Sequence, residues 1–164
     1  MTSTERQNAG LNARAATRTQ PMFHRVLTAS PDAVRGALID IRARFRTEIG
    51  EDTLGRLELV LAEVMNNVTE HAAIPAGHIR PPSIHISIVR HDTGLACAIT
   101  DDGVSLPAAC ILPRSLPVID PQDLPEGGFG WYLIQDLTQA LCYYREGPRN
   151  FLAFSVPFTD GAER

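Results

Sequence analysis

The first ordered pattern along the chain is MFHRVLT at residues 22–28, which suits a strand. Ser30-Pro31-Asp32 then reads as a helix start. Serine caps the free amides, proline suits the first turn and aspartate complements the helix dipole. Val34, Leu38, Ile41 and Phe45 follow as one apolar stripe, and that helix is expected to run to Gly50. A second helix is expected from Asp52 or Thr53 over about 54–72, with Leu57, Leu61, Val64 and Val68 on its apolar face. Residues 75–82, PAGHIRPP, form a loop by composition. SIHISIVR (83–90) alternates as a strand, His91 to Gly94 turn it, and LACAIT (95–100) returns as a hairpin partner.

Residues 103–126 break this regularity. Pro107, Pro113, Pro117, Pro121 and Pro125 leave no room for a regular element of useful length. A long irregular segment inside a compact domain suggests a lid or a linker. The pattern resumes with glycines at 127, 128 and 130 and a helical WYLIQDLTQA (131–140). LCYYRE (141–146), a turn at 147–150 and FLAFSVP (151–157) form a second hairpin. The predicted order is β α α β β, lid, α β β. Helices cluster and strands come in hairpins, which predicts an α+β two-layer sandwich with helices on one face of a mainly antiparallel, mixed sheet. Residues 1–20 are polar and aperiodic and read as a disordered tail, leaving 21–160 as a single domain with its lid at about 104–126.

Composition narrows the function. With 164 residues the chain suits one domain with a full core. The net charge of −4 argues against a general affinity for nucleic acid or anionic membrane. No apolar run is long enough to span a bilayer, and the N-terminal segment has no secretory core, so a cytoplasmic protein is expected. All 15 basic residues are arginine. The absence of lysine excludes a lysine-containing phosphate loop, a Schiff-base lysine and a kinase-type strand lysine. Cys97, Cys110 and Cys142 form no CxxC pair and are expected to be buried small hydrophobes in a reducing compartment. His71, His78 and His85 fall on different expected elements, so no zinc site is expected.

Three places carry candidate chemistry. Glu63 and Asn67 are one turn apart on the second helix, about 40° around its axis, flanking the apolar stripe. A carboxylate and a carboxamide placed so suit a proton acceptor beside a hard cation, although a solvated polar flank has the same composition. Asp101-Asp102-Gly103 ends a strand. It makes an ordinary turn, or a buried acceptor for an exocyclic amine with a glycine that lets a flat base approach. Gly127, Gly128 and Gly130 precede a helix start, where free amides and the helix dipole suit an anion, or where a hinge and cap would suffice.

In combination these features resemble the GHKL ATPase superfamily, whose ATP-binding (Bergerat) fold is shared by histidine kinases, gyrase-type ATPases and anti-sigma factor kinases. LAEVMNNVTEHA resembles the N box, TDDG the first glycine box and PEGGFGWYLIQDLTQALCYY the second. The resemblance covers roughly residues 22–158 and runs to the stand-alone anti-sigma factor serine/threonine kinases. It implies that Glu63 is the catalytic base and Asn67 the Mg²⁺ ligand, with His71 following the N box. Asp101 would read adenine beside Gly103. Gly127, Gly128, Phe129 and Gly130 would line the phosphate cradle, and Arg114 is the one cation the lid offers. ATP and Mg²⁺ are the implied cofactors. The implied partners are an anti-sigma factor antagonist, phosphorylated on serine or threonine, and a sigma factor released by partner switching; homodimerisation is common in such proteins. The alternative is a module that binds ATP or sequesters a partner without catalysis. A detached histidine-kinase domain is a third reading, disfavoured because no phosphoacceptor helix precedes the first strand.

Overall fold

The computed structural model describes residues 22–70, 80–103 and 129–159. Its elements are β1 (Met22–Thr28), α1 (Pro31–Phe45), α2 (Glu51–Glu70), β2 (Ser83–His91), β3 (Gly94–Asp101), α3 (Phe129–Leu137), β4 (Gln139–Glu146) and β5 (Arg149–Pro157). The strands form one sheet in the order β1-β2-β3-β5-β4. Every neighbouring pair is antiparallel, so the expected mixed character is absent among the described strands.

Strand periodicity decides which face is covered. Ile84, Ile86 and Ile88 of β2, Leu95, Cys97 and Ile99 of β3, and Leu152, Phe154 and Val156 of β5 are all buried. Apart from Gly94, which is buried against β5, their alternate neighbours are partly or fully exposed. One core joins these residues to Val34, Ala37, Ile41 and Phe45 of α1, to Leu57, Val60, Leu61, Val64 and Met65 of α2, and to Ile134 of α3. The helices therefore lie on one face, giving the expected α+β two-layer arrangement. Burying an aliphatic side chain stabilises by about 1.5–3 kcal/mol, so this one core supplies the main driving force for docking helices on sheet.

The helix boundaries follow local chemistry. Ser30 Oγ accepts from the Ala33 amide at 3.3 Å, capping α1 as expected. That helix ends at Phe45, short of Gly50, because residues 46–49 turn and bury Ile49. Helix α2 starts at Glu51 and places Glu51 and Asp52 in its first turn. Arg42 of α1 grips Glu58 of α2 through Nε at 2.6 Å and Nη2 at 2.9 Å, and reaches Glu51 at 2.8 Å. This paired geometry fixes the crossing of the two helices more firmly than an isolated surface ion pair would.

Helix α3 spans Phe129–Leu137, whereas periodicity alone predicts 131–140. The Thr138 hydroxyl donates to the Ile134 carbonyl at 2.6 Å, Ala140 adopts a φ of 52°, and the β4–β5 register shifts between Gln139 and Cys142. A short side chain bonding back to the helix and a left-handed residue convert the expected last helical turn into a bulged strand start. The tail (1–20), His71, most of the 75–82 loop and residues 104–126, with Arg114, Gly127 and Gly128, lie outside the described residues.

Candidate functional site

Two clusters are built from the residues singled out in the sequence. The first joins α2 to the start of α3. Glu63 and Asn67 flank the buried stripe of α2, and both are half-buried. Gly130, in the first turn of α3, meets Glu63 directly. A Cβ on Gly130 would fall 2.2 Å from Glu63 Oε2 and 3.1 Å from its Cδ. Only a residue without a side chain permits that approach, so the carboxylate of the first motif sits against the opening turn of the last. Helix N-termini carry free amides and partial positive charge, an environment that favours an anion.

Asn67 Nδ2 is buried without a hydrogen-bond partner among the described residues. Such an orphan costs about 1–3 kcal/mol unless something completes it. Because no partner there fixes the amide, its oxygen and nitrogen can exchange places and the oxygen can serve a hard cation. No cluster of three or more His, Cys, Asp or Glu side chains able to hold a metal occurs among the described residues. Among the described residues this donor set does not cage a cation by protein alone. It does suit Mg²⁺, which takes one or two protein oxygens and completes its shell with phosphate and water.

The second cluster lies at the end of the sheet. Asp101 shares the inward phase of Leu95, Cys97 and Ile99 on β3, and it pairs in register with Ile84 and Asn150. Its Oδ1 accepts from the Gly103 amide at 2.8 Å and from Asn150 Nδ2 at 2.9 Å. Gly103 packs so tightly that a Cβ would stand 3.0 Å from that same oxygen. Burial raises the Asp101 pKa above its ordinary value, and the bonds from Asn150 and Gly103 oppose the rise. The adjacent Asp102 faces another way, accepting from the Ser83 amide at 2.7 Å.

Local sequence places Asn150 in a turn, yet it is the keystone of this cluster. It is 3% exposed. Its Oδ1 accepts from the Tyr143 hydroxyl and from Arg145 Nη1, each at 2.8 Å. Arg145 also donates to the Gly103 carbonyl at 3.0 Å. The sequence does carry a signal for this role. Asn150 falls on the same alternating phase as Leu152, Phe154 and Val156, a polar residue where period two demands an inward one.

The structure thus brings Glu63 and Gly130 into contact and gives Asp101 and Gly103 a shared hydrogen bond. Phe129 is described as the first residue of α3. The site thus belongs to a two-layer α+β domain with one carboxylate against a helix start and a second, buried carboxylate closing the sheet end. The sequence matches the histidine kinase-like ATPase domain family over residues 27–156, and the chain belongs to that family. No curated protein matches the sequence. Among solved structures, the chain is similar to the RsbU and RsbW domains of Rv1364c from Mycobacterium tuberculosis, with TM-score 0.57 and 12% identity. That match covers 87% of this chain and 34% of the other, so this chain spans about a third of that one. It is also similar to the catalytic domain of the histidine kinase ThkA, with TM-score 0.46, 13% identity and coverage of 83% and 97%. No helix among the described residues is long and apolar enough to cross a membrane.

Proposed function

We propose that this chain is a cytoplasmic ATP- and Mg²⁺-dependent protein kinase of the anti-sigma factor type. On this reading it phosphorylates a serine or threonine of an anti-sigma factor antagonist and controls a sigma factor by partner switching. The observation that carries the proposal is the contact between Glu63 and Gly130, which unites the N-box carboxylate with the helix start of the second glycine box. Family membership supports nucleotide chemistry, and the similar Rv1364c structure contains an RsbW domain. Residues 21–160 are read as one domain, with 104–126 assigned as its lid on sequence grounds.

In the proposed mechanism Asp101 accepts from the exocyclic amine of adenine, with Gly103 leaving room for the ring. Gly127, Gly128, Phe129 and Gly130 line the phosphates, and Arg114 supplies a lid cation. Asn67 would hold Mg²⁺ through its amide oxygen, and the ion would supply positive charge to offset that developing on the transferring phosphate. Glu63 takes the proton of the partner's hydroxyl as the new O–P bond forms and the bond to the leaving ADP breaks. The test is phosphotransfer to candidate partners captured from the native host. Glu63→Gln keeps size and hydrogen bonding, so it should retain ATP binding and lower transfer roughly 10²–10⁴-fold. Wild-type-like transfer by that variant would remove the base assignment. A wild type that binds ATP yet transfers phosphate to no host partner would leave a non-catalytic, partner-sequestering module as the better reading.

A further inference from the structure

The buried amide of Asn150 has an orientation fixed by its surroundings. Its carbonyl faces Tyr143 Oη at 2.8 Å and Arg145 Nη1 at 2.8 Å. Arginine can only donate, so the oxygen must lie on that side. Its Nδ2 faces Asp101 Oδ1 at 2.9 Å and the Gly103 carbonyl at 3.3 Å, both acceptors. Asp101 Oδ1 therefore receives two obligate donors, the Asn150 amide and the Gly103 N–H. No proton can reside on that oxygen, so any proton Asp101 carries must sit on Oδ2.

That constraint bears on which bases the site accepts. An ionised Asp101 offers Oδ2 purely as an acceptor, suited to a 6-aminopurine. A protonated Asp101 offers an O–H there, suited to the carbonyl of a 6-oxopurine. Burial pushes the carboxyl toward protonation and donation from Asn150 opposes it. We propose that Asn150, braced by Tyr143 and Arg145, is a specificity-determining residue of the nucleotide site, holding Asp101 as an acceptor so that 6-amino purines are selected over 6-oxo purines. Asn150 acts through Asp101 and is a positioning residue. The inference rests on the nucleotide-binding reading above. Around the amide and Asp101, the charged and titratable groups among the described residues include Asp102 at the end of β3, Tyr143 and Arg145 on β4, and His85 of β2 and Arg149 of β5, which line one pocket with Asp101.

Calorimetric titration of the full chain with Mg-ATP and Mg-ITP, between about pH 6 and pH 8, tests this. Asn150→Asp keeps shape and keeps the acceptor for Tyr143 and Arg145. Its other oxygen then faces Asp101 and the Gly103 carbonyl, an arrangement that needs a shared proton. ATP affinity of this variant should approach that of the wild type in acid and fall roughly tenfold or more as the pH rises, while the wild type changes little. Arg145 is exposed, so Arg145→Gln should leave the fold intact. With one of its two braces removed the amide is held less firmly, so the variant should narrow the ATP-over-ITP preference several-fold, most visibly in acid. If Asn150→Asp fails to fold, by circular dichroism, the Arg145→Gln preference decides. Variants with wild-type selectivity and a wild-type pH profile overturn the inference while leaving the nucleotide site intact. A wild type that binds neither nucleotide overturns the proposed function and this inference with it.

Discussion

Replacing Gly130 by alanine separates chemistry from folding more cleanly than any other single change. The added Cβ would fall 2.2 Å from Glu63 Oε2, where ordinary contact begins near 3.4 Å. The carboxylate must therefore retreat by about 1.2 Å, the difference between those two distances. The obstructing atoms are the far end of a flexible side chain, so the retreat is a rotamer change with little cost to packing. Gly130 is the second residue of α3, where alanine is favoured over glycine by less than the roughly 1 kcal/mol of a helix interior. Thermal stability should hold or rise slightly. Catalysis should suffer, because an ångström of misplacement of a catalytic group costs on the order of 10²-fold. The assay is a pair of measurements on one preparation: melting temperature by circular dichroism, and phosphotransfer rate at saturating Mg-ATP. The expected result is an equal or higher melting temperature with transfer reduced about 10²-fold. A stable variant that transfers phosphate at the wild-type rate would show that the Glu63–Gly130 contact has no part in the chemistry. A variant that loses several kcal/mol of stability would show that the carboxylate cannot retreat, and would refute the packing argument.

Asn67→Ala removes the orphaned amide, so it should leave stability unchanged or improved while weakening Mg²⁺-dependent ATP binding, most visibly in calorimetry at low Mg²⁺. Asp101→Asn must keep its carbonyl toward the Gly103 and Asn150 donors, which turns an N–H toward the base. Losing a charge-assisted acceptor should weaken ATP binding by about 1.5–3 kcal/mol, roughly 10- to 150-fold, in the same titration. The same variant tests the pH dependence of stability. The folded-state pKa of Asp101 is raised, so the wild type is most stable, relative to the variant, below the ordinary carboxyl value of 3.8. Above it the unfolded chain releases its proton first, and wild-type stability declines until the folded carboxyl ionises. Denaturant melts across acidic pH should show that decline in the wild type and its loss in Asp101→Asn.

Local pattern and local chemistry are enough to set the order of the elements. The cap at Ser30 is one case, since a hydroxyl three residues from a free amide is a property of that short stretch alone. The alternation in β2, β3 and β5 is another, because burial on one sheet face repeats every second residue. The three motifs are also legible as strings, since glycine, carboxylate and carboxamide are named by the chain itself. The sequence cannot say that Gly130 makes room for Glu63, because that depends on how α2 and α3 cross, and the crossing is set by packing among side chains distant in sequence. Nor can it say that β5 inserts between β3 and β4, which is what brings Asn150 opposite Asp101. Residue types and periodicity fix what each segment can be. Which acceptor meets which donor is decided only when one shared core brings distant segments into register.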